Sequence, residues 1–278
     1  MQLSILCPTS DCALDWRAPY DRLADILQSA GFQTHALPWT DLAHSEAAAA
    51  ACLAWGYHLQ PERWIDLLHS RAAGSLANCP RTLIWNSDKI YLQQLEQSVP
   101  IVPTHFVAAL DDAVASTLRG RFKTETLVAK PRWGAGAHGL TFLRDGEPTP
   151  SLRDVLVQPM LTSIPTEGEV SLIYFDGRFS HAVRKIPAAG DFRVQSEFGG
   201  SVEHIPASDT LIELGIRAIE AAPDPLTYAR VDIVKGNDGS WQMIELEAIE
   251  PELFLGFAPD AGRALGEAFR KRFCAPVR

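Results

Sequence analysis

Basic residues are in short supply in this chain. Its 278 residues hold 25 lysines and arginines against 34 aspartates and glutamates, a formal net charge of −9. Most of such a surface repels phosphate backbones, so a nucleic-acid partner is not expected, although a small anionic ligand in a locally basic cleft is not excluded. Cysteine is sparse as well. The five (Cys7, Cys12, Cys52, Cys79 and Cys274) are odd in number and have no Cys-x-x-Cys spacing, which argues against a disulfide framework or a zinc site and for reduced thiols. Long apolar runs are missing: the longest, Ala47 to Trp55, falls far short of the ~20 residues a membrane span requires. The amino terminus lacks a basic flank and an adequate apolar signal core. These absences predict a soluble, cytoplasmic protein with no membrane partner. Repeats and low-complexity linkers are absent too, and a 46% hydrophobic content at this length predicts two or three globular units.

What is present begins in α/β fashion. Strands over Leu3 to Cys7 and Gln33 to Leu37 flank a helix over Pro19 to Ala30 that ends at Gly31. The alanine-rich segment from Ala47 has helical propensity, but its place before an amphipathic helix over Pro61 to Ala73 calls for a strand. That choice sets Trp55-Gly-Tyr57-His58 at the carboxyl end of a parallel strand, where open α/β sheets bind ligands; an aromatic loop packed on a neighbour fits equally well. Asp15, Trp16 and Arg17 follow the first strand and can border the same pocket. A further strand is expected over Arg81 to Trp85, then Asn86-Ser-Asp-Lys89 and a helix through Leu95. Residues 1–96 thus form an amino-terminal α/β unit, and Val99-Pro-Ile-Val-Pro103 marks its boundary. Residues 97–157 form a small central unit with short strands over Leu127 to Lys130 and Leu140 to Leu143. In residues 158–278, strands and turns alternate around a helix over Asp209 to Ala221, and a final helix covers Pro259 to Phe273.

The densest chemistry lies in Tyr228-Ala-Arg-Val-Asp-Ile-Val, Lys235-Gly-Asn-Asp-Gly-Ser240 and Trp241-Gln-Met-Ile-Glu-Leu-Glu247, which read as a β-hairpin. With Asp238-Gly239 at the centre of a two-residue turn, facing residues have numbers that sum to 477. Asp232 then faces Glu245 and Arg230 faces Glu247, while Val231, Ile233, Ile244 and Leu246 turn to the core. Three crowded carboxylates repel one another unless a cation sits among them, and oxygen-only ligation suits Mg²⁺. A solvated strand face with an Arg230–Glu247 ion pair is the plain alternative for the hairpin alone. Glu250-Pro-Glu252 extends the acidic stretch, and Leu253-Phe-Leu-Gly-Phe257 is expected to be core.

A second chemical segment is Lys130-Pro-Arg-Trp-Gly134-Ala-Gly136-Ala-His138-Gly139, a glycine-rich loop joining two strands. Its backbone N–H groups can cradle phosphates, with Lys130 supplying charge, or it is a hairpin with no ligand. It is neither a Walker loop, since no Gly-Lys-Ser/Thr follows, nor a dinucleotide fingerprint, since it joins strand to strand. Single histidines (His58, His138, His181 and His204) are more often structural or exposed than catalytic, although His138 lies within this loop.

Lys89, Lys130, Gln158-Pro-Met160 and the acidic hairpin, taken in that order, resemble the ATP-grasp superfamily from about Trp85 to Phe257. Within it the chain is most similar to the branch of bacterial glutathione synthetase, the ribosomal glutamate ligases and the cycloserine-forming ligase. The carrying residues are Glu169 to Arg178, Arg184-Lys-Ile-Pro-Ala-Ala-Gly-Asp-Phe-Arg193, and the hairpin with its Arg-Val-Asp and Glu-Leu-Glu. The resemblance implies an α/β (α+β) ATP-grasp fold: an open α/β pre-ATP-grasp domain, a small lid, and a carboxyl-terminal antiparallel sheet. It implies ATP and Mg²⁺ as cofactors, with Lys89, Lys130 and the Gly134, Gly136 and His138 loop at the phosphates, backbone groups of Gln158 and Met160 at adenine, and Glu169 at ribose. Asp232, Glu245 and Glu247 would hold Mg²⁺, and Arg184, Arg193 and Arg230 would face the transferred phosphoryl group and the activated carboxylate.

Trp55, Tyr57 and His58 would border an amino-acid or peptide substrate, and self-association is implied because relatives are commonly dimers or tetramers. The implied reaction is ATP-dependent joining of a carboxylate to an amine, between molecules or within one. A kinase that stops at phosphoryl transfer is the alternative. The glutathione enzymes end their metal motif in Glu-x-Asn, whereas this chain has Glu245-Leu-Glu247, which points to a different acceptor.

Overall fold

Three sheets divide the chain, each explained by a different residue pattern. The computed structural model describes residues 1–10, 12–136, 139–188 and 199–274. The first sheet is parallel, in the order β2-β1-β3, from β1 (Gln2–Cys7), β2 (Gln33–Pro38) and β3 (Ala48–Ala50). Covered on both faces, β1 is buried along nearly its whole length, as parallel strands are. Between β1 and β2 runs helix α1 (Arg17–Ser29), whose Leu23, Ala24 and Leu27 face the core, and Gly31 ends it at a φ of 92°. The alanine run is a strand, as its position in the order required.

Arg81 to Trp85 is not a strand. Following α2 (Pro61–His69), residues Pro80–Ser87 form helix α3. Pro80 occupies the first helical turn, where its missing N–H costs nothing, and the buried Thr82, Leu83, Asn86 and Ser87 fall at helical spacing. The sheet edge beyond β3 is met by a single parallel bridge from Ala49 to Leu76.

After the short helix α4 (Tyr91–Leu95) comes a four-stranded antiparallel sheet, order β4-β7-β5-β6, from β4 (His105–Leu110), β5 (Thr126–Pro131), β6 (Thr141–Arg144) and β7 (Leu152–Pro159). Helix α5 (Asp112–Phe122) packs on it through Ala115 and Leu118. Strands β4 and β7 and helix α5 add to the two strands expected here. The signal for α5 was Asp111, whose carboxylate accepts the Val114 N–H at 2.9 Å and caps the helix.

The third sheet has five antiparallel strands in the order β10-β9-β8-β11-β12. They are β8 (Glu169–Phe175), β9 (Arg178–Ile186), β10 (Ser201–Ile205), β11 (Tyr228–Lys235) and β12 (Trp241–Glu247), entered through the short helix α6 (Ile164–Glu167). Helix α7 (Asp209–Glu220) covers one face, packing Leu211, Leu214 and Ala218 against Val231 and Leu246. The opposite face is left for charge. The last helix, α8 (Arg263–Cys274), returns to α1; it starts four residues later than expected because Asp260 accepts the N–H groups of Gly262 and Ala264. Of the apolar stretch 253–257, Leu253 alone is buried; Phe254 and Leu255 are half-buried beside a cavity and Phe257 is exposed.

Candidate active site

The hairpin β11–β12 pairs Arg230 with Glu247 and Asp232 with Glu245, as period-two alternation requires. It reaches that register by two offsets that cancel. The turn is one residue longer than the two-residue form, since Gly236 N–H donates to Ser240 O and Gly239 takes a φ of 80°, so facing numbers near the tip sum to 476. A bulge between Asp232 and Ile233 then makes Ile244 the extra residue and restores 477 at the charged end. Ile244 consequently lines the cavity, and Met243, fully buried, takes the core position expected of it.

A cavity of about 820 Å³ lies over the charged face. Ligand oxygens of Asp232, Glu245 and Glu247 approach within 4.8 Å of one another. Basic side chains interleave with them. Arg230 donates from Nε to Asp232 Oδ1 at 3.0 Å and from Nη2 to Asp232 Oδ2 at 2.9 Å, and a second bond from Nη2 reaches Glu247. The Phe254 ring covers this guanidinium, with 5.9 Å from Cζ to the ring centre. Lys89 is ion-paired to Glu245, and Lys185 bridges Glu169 and Asp232.

Burial works against the Asp232 carboxylate, but Arg230 and Lys185 outweigh it and hold the group far below its usual range. Burial acts the same way on Glu245, which its Lys89 partner nevertheless holds low. Glu247 is pushed up to about 7 by burial, which its Arg230 contact opposes and the nearby Glu245 reinforces. An all-oxygen set of three carboxylates with graded proton affinity fits a small hard cation such as Mg²⁺.

Of the residues expected at a nucleotide, Lys89, Lys130, Gly134, Gly136, Gln158, Met160 and Glu169 all line the cavity. Lys89 follows helix α3 rather than a strand, and its N–H donates to Arg132 O at 3.0 Å, which ties it to the end of β5. Lys130 makes no ion pair with a described residue; burial, with repulsion from Lys89, lowers its pKa. His138 and Arg193 lie outside the described residues.

The backbone of Met160 is already engaged, its N–H by Thr126 O at 3.0 Å and its carbonyl by the Asn237 side chain at 2.9 Å. Gln158 pairs with Val128 across β5–β7 and donates its side-chain amide to Thr104. Both residues are therefore held by the fold at the wall of the cavity they line.

Arg184 is turned away from the cavity. It sits 3.8 Å from Glu203 on the other face of the sheet, and Lys185 takes the inward position. The cause is again a bulge. Facing numbers sum to 353 beside the β8–β9 turn but to 354 beyond Ile173, so Glu169 lies opposite Lys185 rather than Arg184.

Trp55, Tyr57 and His58 line the cavity, as does Asp15, whereas Trp16 and Arg17 are not part of its wall. Tyr57 is nearly buried and packs on Trp64, with ring centres 5.1 Å apart, so the aromatic segment is both wall and core. His181, absent from the expected site, fixes another wall. Its Nε2–H donates to the carbonyls of Leu253 and Phe254, both at 3.1 Å, and Nδ1 accepts from Ser180. Phe254, the residue over Arg230, has a left-handed φ of 48°, a strained conformation for a side chain of its size.

No protein-family model matches the chain. It is 29% identical over 213 residues to the cycloserine biosynthesis protein DcsG of Streptomyces lavendulae, covering 68% of this chain and 70% of that protein. The crystal structure of the D-cycloserine synthetase DcsG superposes with a TM-score of 0.80 at 24% identity, over 98% of this chain and 100% of that one. D-alanine–D-alanine ligase from Bacillus anthracis superposes with a TM-score of 0.69 at 15% identity, over 99% and 97%. The ATP-grasp ligase PsnB, complexed with a variant of its minimal precursor, Mg and ADP, gives 0.67 at 17%, over 97% and 98%. Fold and relatives together define the class: the chain has the fold of the ATP-grasp ligases, and its sequence is similar to that of a protein of cycloserine biosynthesis.

Proposed function

We propose that this protein activates the carboxylate of a small amino acid or short peptide as an acyl phosphate and joins it to an amine, releasing ADP and phosphate. The observation that carries the reading is one cavity whose wall combines cations, carboxylates and aromatic rings. Lys89, Lys130 and the described glycines of the loop line it together with the Asp232–Glu245–Glu247 triad and the aromatic residues Trp55 and Tyr57. The sequence relative is named for cycloserine biosynthesis and PsnB for a precursor it binds, so ring closure within one molecule and ligation between two both fall within the reading.

A carboxylate oxide is a poor leaving group, and phosphorylation converts it into phosphate. The triad would hold Mg²⁺, which when bound offsets charge on the phosphates of ATP. Lys130, desolvated and without an ion-pair partner among the described residues, would bind phosphate oxygens. Lys89 would exchange Glu245 for the nucleotide, and the glycine loop would add backbone donors. Arg230, locked by Asp232 and Glu247, would present its guanidinium to the reacting carboxyl group without reorganising. In the second step the amine nitrogen bonds to the acyl carbon, the carbon–oxygen bond to phosphate breaks, and the nitrogen loses a proton. No protein nucleophile takes part. Among the described residues no helix is long and apolar enough to cross a membrane, and ATP supply fits a cytoplasmic setting.

The test is a coupled assay over amino acids and dipeptides. ADP and free phosphate released only when a carboxylate and an amine are both supplied, in one molecule or two, is the expected result. A stable phosphorylated product with no free phosphate would instead mean a kinase.

A further inference from the structure

Four carboxylates surround the reacting centre, and each has a basic partner: Glu245 has Lys89, Glu247 has Arg230, Glu169 has Lys185, and Asp232 has both Arg230 and Lys185. A fifth does not. Glu250 lines the same cavity three residues beyond Glu247, and its side chain makes no ion pair with any described residue. Its backbone is fixed between Ile249 and Pro251, both buried, so the carboxylate is held at the cavity wall. It lies within electrostatic reach of Glu247, Glu245 and Lys89 on its own side, and of the Tyr57 phenol from the loop after β3.

We infer that Glu250 holds the attacking amine, accepting hydrogen bonds from its N–H groups at the cavity wall. This rests on the ligase reading. Phosphates and the substrate carboxylate are anions that Glu250 repels, so the nitrogen end of a substrate is the complementary group. A nitrogen bearing N–H donors would give Glu250 the partner it lacks among the described residues. The substrate class follows: a nucleophile rich in N–H donors, a primary amine or a nitrogen chain of similar donor capacity, with no anionic group next to that nitrogen. Glu250 is thus a specificity-determining residue of the second step and has no part in the first.

The two steps separate experimentally with hydroxylamine, which captures an acyl phosphate as a hydroxamate without needing an amine site. Wild type and the Glu250→Gln and Glu250→Ala variants are given Mg·ATP, the carboxylate found in the ADP-release screen, its amine, and a fixed excess of hydroxylamine. In both variants, hydroxamate formation is expected to stay within threefold of wild type, while the amide-to-hydroxamate ratio falls at least tenfold. Glu250→Gln should melt no lower than wild type, which controls for folding. An unchanged ratio would overturn the assignment, and so would parallel loss of amide and hydroxamate, which would place Glu250 with the metal or the phosphoryl transfer. If wild type itself yields neither product with any carboxylate, it is the ligase reading that fails.

Discussion

Lys185 Nζ lies 3.2 Å from Asp232 Oδ1, while the adjacent Arg184 points to Glu203 on the opposite face of the same sheet. A single residue of parity separates a group inside the charged network from one on the surface. Lys185→Met is therefore expected to lower ATP-dependent turnover at least a hundredfold. It should also cost stability on the order of 3–5 kcal/mol, the usual penalty for breaking a buried pair. Arg184→Ala should stay within threefold of wild type by the same ADP-release assay.

The acidic ligands are not equivalent as mutational probes. Asp232 is 1% exposed and serves Arg230, Lys185 and Ser171 at once, so Asp232→Asn strands two buried cations and should lower the melting temperature along with activity. Glu245, partly exposed and paired with Lys89 alone, is the cleaner test. Glu245→Gln should abolish turnover with a stability change of under about 1 kcal/mol, as for removal of a partly solvated pair. Unaltered turnover in Glu245→Gln would remove the metal-site assignment.

Lys130 presents the opposite case, a desolvated ammonium with no ion-pair partner among the described residues. Replacing it with methionine takes nothing from the folded apo protein and removes a charge the nucleotide needs. Calorimetry should find Mg·ATP affinity reduced tenfold or more in Lys130→Met, with an unchanged or higher melting temperature. Equal affinity would place the phosphates elsewhere.

His181 gives the protein an acid-sensitive strut. Burial lowers its pKa, and the hydrogen bonds from its Nε2–H to Leu253 and Phe254 oppose that shift without reversing it. The unfolded chain therefore takes up a proton near the ordinary histidine value of about 6.5 while the folded chain resists it. This contribution to stability is complete above about pH 6.5 and drains away as pH falls toward the lower folded value, with a limiting slope of about 1.4 kcal/mol per pH unit. Melting curves from pH 7.5 to 5 should show the decline, and His181→Gln should flatten it. A second readout separates positioning from mere stability: loosening Phe254 over Arg230 should lower kcat in His181→Gln at pH 7.5 more than it raises the KM for ATP.

How far the sequence could be read depended on whether one strand or two decided an answer. Asp232, Glu245 and Glu247 share one face because alternation along β11 and β12 requires it, and that was visible from residue types alone. Lys185 was hidden because its face depends on an extra residue in β9, which only pairing with β8 reveals. Helix α3 was mistaken for a strand because Arg-Thr-Leu-Ile-Trp carries β-type residues, and the buried contacts of Thr82, Leu83, Asn86 and Ser87 overrode that propensity. In the sequence Glu250 is only one residue of an acidic stretch, and what sets it apart is the pairing of Glu169, Asp232, Glu245 and Glu247 with basic side chains among the described residues.

The cancelling offsets in the β11–β12 hairpin carry a consequence for how such chains change. Removing Ile244 takes away only the bulge, because Met243 already faces Ile233 and Glu245 already faces Asp232, so Glu245 and Glu247 keep the cavity side of the ribbon. A single-residue deletion at the bulge is thus expected to keep the cation ligands in place. Between two descendants of one ancestor, residues counted from the tip can disagree by one while the cation ligands superpose, so an alignment anchored on the turn would set Ile244 against a carboxylate. Anchoring it on Asp232 and Glu245 instead preserves the chemistry that selection would see.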